Sequence, residues 1–240
     1  MKDREIDEIL KQAAASGHEV DPAVLDRVAA SIGSALRPVR PLPPAWVLEG
    51  GLILICAVVA LVGAARLGFF GIEKLSGLER GLIFFTLGIL VWLAATGFVN
   101  EMIPGRRRCV APGTLLGVAS VALIAVFAVV FRDYRTERFV SLGMACLIAG
   151  LLHAIPTGLA SWWLLRRGFA VDSVAAGLAG GILAGLAGVT MLELHCANFE
   201  ALHVMLWHTA VIPVSGAAGA LLAWVARFRP GFWRPRALRS

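Results

Sequence analysis

The sequence predicts an all-α, polytopic membrane protein with six transmembrane helices and a short cytoplasmic N-terminal helical segment. Three observations carry that prediction. Hydrophobic residues make up 58% of the 240 and charged ones 16%, with a mean hydropathy of +0.79, too apolar for the surface of a water-soluble domain. Six runs of about 20 mostly apolar residues, the length a helix needs to cross a bilayer, are bounded by charges or helix breakers. The runs are rich in Leu, Ala and Gly and lack the two-residue alternation of a barrel, so helices must satisfy the backbone in lipid.

In chain order, residues 1–37 form the first compositional unit. In DREIDEILKQAAA, the apolar residues Ile6, Ile9, Leu10 and Ala13 recur at helical spacing opposite Asp3, Glu5, Asp7, Glu8 and Lys11. A second helix opens after Ser16-Gly17-His18, with Asp21 as N-cap and Pro22 at the first helical position. Val24, Leu25, Val28, Ile32 and Leu36 make its apolar stripe. Two short amphipathic helices without a core of their own need something to cover those stripes. One cover is the bilayer surface or the cytoplasmic loops. Seven carboxylates against six basic residues through Arg40 argue against adhesion to an anionic leaflet and favour a groove on a cytoplasmic protein. Residues 38–44, PVRPLPP, favour polyproline geometry and make a short stiff spacer. No apolar h-region precedes the first span, so no signal peptide is expected.

The bundle occupies residues 45–226, with spans expected over 45–65, 81–99, 111–131, 139–165, 174–192 and 202–226. Residues 227–240 form a basic tail. With the N-terminus inside, twelve arginines lie near the membrane on the inner side: Arg37, Arg40, Arg106, Arg107, Arg108, Arg166, Arg167, Arg227, Arg229, Arg234, Arg236 and Arg239. Six cations lie outside: Arg66, Lys74, Arg80, Arg132, Arg135 and Arg138. The positive-inside rule therefore places both termini in the cytoplasm. This bias, with attraction of the tail to anionic lipid, explains the basic pI of about 9.8 without direct nucleic-acid binding. The run AAGLAGGILAGLAG, residues 175–188, has small residues spaced for close helix packing.

The chemistry gathers in MLELHCANFEALHVMLWH, residues 191–208. Glu193, His195, Cys196, Asn198, Glu200 and His203 fall between the fifth and sixth spans, at the outer face, and His208 sits in the sixth. Imidazole, thiolate and carboxylate are metal ligands, and His195, Cys196, His203 and His208 are the candidate set for a metal or haem, although their spacing matches no standard zinc pattern. No resident cofactor is otherwise expected. Helix ends at a membrane interface also collect His, Glu and Trp, and Trp207 fits an aromatic belt. His203 and His208 are five apart, which does not align them on one α-helical face as three or four would.

Of the four cysteines, Cys109 follows a run of arginines on the inner side and Cys56 lies in the first span. Cys146 lies about two turns below the outer end of the fourth span and Cys196 near the outer end of the fifth. Consecutive antiparallel helices bring the two together if their faces agree, and an oxidising compartment would allow a disulfide. Two small apolar side chains in helix contacts fit the same positions.

The whole chain resembles the NrsF family of six-helix membrane anti-sigma factors. The resemblance rests on the six-span layout, the short N-terminal helical region, and LHC at 194–196 followed by Trp207 and His208, with Ala197 standing where the family commonly has proline. It implies a bacterial inner-membrane protein whose partner, besides the bilayer, is an extracytoplasmic-function sigma factor. It implies that Ile6, Ile9, Leu10, Val24, Leu25, Val28 and Ile32 contact the sigma factor. It also implies that Cys146 and Cys196 sense oxidants or thiol-reactive metals, Cys196 through LHC and Cys146 through its place in the fourth span. The contrasting expectation is a membrane enzyme or transporter using His153, Glu193, His195, Glu200, His203 and His208. His153 lies near mid-membrane, where an ionisable group usually faces a cavity or partner, and Pro156 nearby would bend the helix. No nucleophile motif, phosphate loop or inverted repeat accompanies it.

Overall fold

The computed structural model describes Glu8, Lys11, Gln12 and residues 22–35, 42–103, 105–106, 110–136, 138–168 and 170–227. The chain divides into two compact units, Met1–Pro41 and Leu42–Ser240.

In the first unit, α1 (Pro22–Ala35) begins at the proline whose fixed φ suits the first helical turn. Val24, Leu25 and Val28 are exposed along it. Of the preceding predicted helix, Glu8, Lys11 and Gln12 are helical and exposed. Ile6, Ile9, Leu10, Asp21 and Leu36 lie outside the described residues, as does the side chain of Ile32.

The second unit holds six helices long and apolar enough to span a membrane: α2 (Ala45–Leu67), α4 (Gly77–Met102), α5 (Pro112–Val130), α6 (Phe139–Leu165), α7 (Ser173–His195) and α8 (Ala201–Arg227). Each of the six expected runs contains or overlaps one of them. The exact ends follow local signals. α4 starts four residues before its apolar run because Ser76 and Glu79 form a capping box, Ser76 N–H donating to Glu79 Oε2 at 2.7 Å. Asp172 caps α7 by accepting from Ala175 N–H at 3.0 Å. A five-residue helix, α3 (Phe70–Lys74), lies between α2 and α4 and is too short and mixed to leave a periodic signal.

α7 is the axis of the bundle. In its apolar window 78% of residues are buried, against 17% in α6, and it packs on α2, α4, α6 and α8. Its glycines permit this. A Cβ at Gly185 would stand 2.7 Å from Ile212 Cα of α8, so only a residue without a side chain lets the two backbones approach so closely.

Three connections converge at one end of the bundle. Phe131 stacks on Phe199 with ring centroids 5.2 Å apart, and Ala201 N–H donates to Asp133 O at 2.6 Å, tying the α5–α6 connection to the α7–α8 connection. His195 Nδ1 donates to Gly68 O at 3.0 Å, tying in the α2–α3 corner. At the opposite end Arg106 pairs with Glu49 at 3.5 Å. Cys109 and residues 228–240 lie outside the described residues.

A buried thiol and imidazole site

The end where the three connections meet encloses a cluster of side chains. Cys146 is seven residues into α6, so about 10 Å along its axis at 1.5 Å per residue. Cys196 caps the C-terminus of α7, its N–H donating to Leu192 O at 2.7 Å. The two sulfurs are 3.6 Å apart, both as free thiols, with Cys196 buried and Cys146 half-buried.

α8 supplies two imidazoles. Its turn Val204–His208 is π-helical, and that wider turn places residues five apart on one face. His203 and His208 therefore meet, ring centroids 5.4 Å apart and edge to face. The five-residue spacing that an ideal α-helix would leave out of line is brought into line by this local unwinding. His203 Nε2 lies 3.8 Å from Cys196 Sγ. His208 Nδ1 donates to Glu193 Oε1 at 2.6 Å, both side chains almost wholly buried at 1% and 2% exposure.

One ligand atom from each of Cys146, Cys196, His203 and His208 lies within 4.8 Å of the others. Three of the four candidate metal ligands read from the sequence thus converge, and His195 does not. The end of α7 points His195 outward, where it bonds Gly68 O and lies 5.9 Å from the Phe70 ring. Cys146 takes its place. Nothing local in α6 marks Cys146, because the juxtaposition depends on how α6 packs on α7.

The site is sealed on two sides. α3 covers it: Gly71 sits so tightly on the end of α7 that a Cβ there would be 2.7 Å from the carbonyl oxygens of Glu193 and Cys196. Trp207 packs across Gly143 of α6, where any Cβ would fall on the indole, and Phe139 lies 5.7 Å from its ring. Trp207 is half-buried between helices, with its Nε1 lacking a hydrogen-bond partner, and so contributes packing rather than a free aromatic belt. His203 Nδ1 and His208 Nε2 are likewise buried without partners.

Of the six residues in the contrasting expectation, Glu193, His203 and His208 meet at this site, and His153 and His195 lie apart from it. His153 is two turns further along α6 than Cys146, with Nδ1 donating to Ala149 O of its own helix at 2.8 Å and its ring against Gly63. Glu200 is held at the loop, its N–H bonded to Asn198 Oδ1 at 3.0 Å. A hollow of about 710 Å³ between α6, α7 and α8 is lined by Phe98, Leu151, Trp162 and Gly180, with Ser161, Ser215 and Arg166 among its polar groups. It is an apolar groove without the converging titratable groups of a catalytic pocket.

Fold and site together define a class: a multi-pass helical membrane protein with a buried thiol and imidazole site at one end of its bundle. The particular family is fixed by comparison. The chain belongs to the NrsF family, negative regulator of sigma F, whose match runs over residues 33–227 and so covers all six spans and the site. Membership implies negative regulation of a sigma factor, with a sigma factor as partner and a regulatory role. The seven residues expected to contact that partner, Ile6 through Ile32, precede the matched region. No curated protein and no solved structure matches the chain.

Proposed function

We propose that the protein is an anti-sigma factor of the bacterial inner membrane that holds a sigma factor of the extracytoplasmic-function type. The N-terminal segment does the holding, through Ile6, Ile9, Leu10, Val24, Leu25, Val28 and Ile32, and both termini are cytoplasmic. The observation that carries the reading is the family match over residues 33–227, and the pair of free thiols 3.6 Å apart, joining α6 to the central helix α7, supports the release step. Exposure of Val24, Leu25 and Val28 on α1 supports the holding surface, because an apolar stripe on a marginal helix is what a groove on a partner recognises.

While both thiols are reduced, the sigma factor stays at the membrane, away from RNA polymerase. A two-electron oxidant such as a peroxide removes two electrons and two protons from the pair and an S–S bond forms. The sulfurs must then close from 3.6 Å to about 2.05 Å, a movement of about 1.6 Å. Capture of both sulfurs by a soft metal ion instead ties the same two helices to each other at close to their present spacing. Packed helices shift between discrete arrangements rather than deforming smoothly, so the change at one end of α7 reaches the far end, near which the chain leaves the bundle at Leu42.

The test is co-purification from cells of the full-length chain and of a chain lacking residues 1–36, with identification of bound proteins. A sigma factor retained by the full-length chain alone supports the reading. Equal retention by both, or by neither, refutes the assignment of the holding surface.

A further inference from the structure

We propose that Cys146, Cys196, His203 and His208 form a closed, four-coordinate site for a zinc-class divalent ion, zinc or cadmium, with Glu193 as the group that orients His208. This deepens the sensing reading of the same site. It rests on that reading only for its consequence, since ion binding is a property of the purified chain alone.

Four observations lead to it. The first is size. Tetrahedral zinc with sulfur ligands at about 2.3 Å has ligand-to-ligand edges of about 3.8 Å, and mixed sulfur and nitrogen edges are slightly shorter. The sulfurs are 3.6 Å apart and His203 Nε2 is 3.8 Å from Cys196 Sγ, so these edges already have tetrahedral length. The widest separation within the set, at most 4.8 Å, closes by about 1 Å.

The second is the donor set. Two sulfurs and two imidazole nitrogens suit zinc and its heavier congener, and four protein donors leave no open position, as in structural rather than catalytic zinc sites. The third is the fate of the ring nitrogens. His208 gives Nδ1 to Glu193 at 2.6 Å, which leaves Nε2 facing the ion; this is the carboxylate, histidine and metal arrangement that fixes tautomer and ring angle. His208 Nε2 and His203 Nδ1 have no hydrogen-bond partner although both residues are buried to within 1%. Buried polar atoms are rarely left so, and an ion satisfies His208 Nε2 directly.

The fourth is charge. Binding displaces the two thiol protons, and two thiolates cancel a divalent cation, so the ion with its four ligands is neutral and the Glu193 carboxylate, hydrogen-bonded to His208, is the one charge beside it among the described residues. One cysteine would leave a positive core and three a negative one.

Cobalt(II) is the probe, titrated into purified full-length protein in detergent under reducing conditions, followed by competition with zinc and cadmium. We expect one ion per chain, a tetrahedral d–d spectrum, a thiolate-to-cobalt charge-transfer band, and displacement of cobalt by zinc. Glu193→Gln should keep the band and weaken affinity about 10- to 100-fold, as for other groups that orient a ligand. His208→Gln should weaken it further and distort the spectrum. His195→Gln, although adjacent to Cys196, should bind as the native protein does. The native spectrum is read without any variant, so a variant that fails to fold does not leave the proposal untested.

The proposal is overturned by the absence of a thiolate band, by an octahedral spectrum, or by histidine variants that bind as tightly as the native chain. That last result would describe a dithiolate site, leaving a thiol-pair switch in place without this coordination. A chain that binds the ion as expected and yet captures no sigma factor would refute the proposed function and leave the site standing.

Discussion

The Glu193–His208 pair is a buried, hydrogen-bonded contact between α7 and α8. The side chains are 2% and 1% exposed and 2.6 Å apart, in an end of the bundle closed by α3 and Trp207, so solvent screening needs no discount. Removing one partner of a buried, hydrogen-bonded pair leaves the other desolvated and uncompensated, at a cost of about 3–5 kcal/mol. Glu193→Ala and His208→Ala should each destabilise the fold by about that amount. Because both remove the same contact, the double variant should lose less than the sum, with a coupling of about 0.5–3 kcal/mol. Glu193→Gln keeps an oxygen for the Nδ1 proton and should cost clearly less than Glu193→Ala. The assay is equilibrium unfolding of metal-free, reduced protein in mixed micelles with increasing sodium dodecyl sulfate, followed by tryptophan fluorescence. Additive single effects, or a Glu193→Ala cost within about 0.5 kcal/mol of zero as for an ordinary surface change, would refute the view that this pair is buried and coupled.

Three further outcomes follow from the same geometry. Gly71→Leu should lift α3 off the end of α7 and raise the rate at which a maleimide labels Cys196, with little change in helix content; an unchanged rate would mean that α3 does not cover the thiol. Gly143→Val places a side chain on the Trp207 indole and should destabilise the bundle by about 1–3 kcal/mol in the same unfolding assay, with a red-shifted tryptophan emission. Mild oxidation of the native protein should remove two thiols together and yield one peptide pair linking Cys146 to Cys196 by mass spectrometry, while Cys56, buried against α7, stays free.

How much of this was legible in the sequence differs from residue to residue. The six spans were, because a run of 20 apolar residues has one stable solution in lipid. Their ends were legible only where a local signal existed. Pro22 opened α1 as its residue type predicts, whereas Ser76 and Glu79 extended α4 into residues whose charge reads as loop. The five-residue α3 left no periodic trace, yet it is the cover of the site. The residue types of the site were visible in 191–208, but its membership was set by packing. His195 and Cys196 are neighbours in sequence, and the end of α7 turns one to Gly68 and the other to Cys146. His203 and His208 were out of line for an α-helix, and a π-helical turn, which no short motif announces, aligned them. Cys146 could be placed by depth in its span but not by face, since a choice of face belongs to the contact between α6 and α7.

The central claim is that the thiol pair at one end of the bundle governs retention of a sigma factor held by the N-terminal segment. The most direct measurement is the amount of sigma factor co-purifying with the membrane protein before and after brief exposure of cells to peroxide, for the native chain and for the Cys146→Ser, Cys196→Ser double variant. Retention should be equal in untreated cells, fall at least several-fold from the native chain after exposure, and not fall from the double variant. Release from the double variant to the same extent as from the native chain would contradict it.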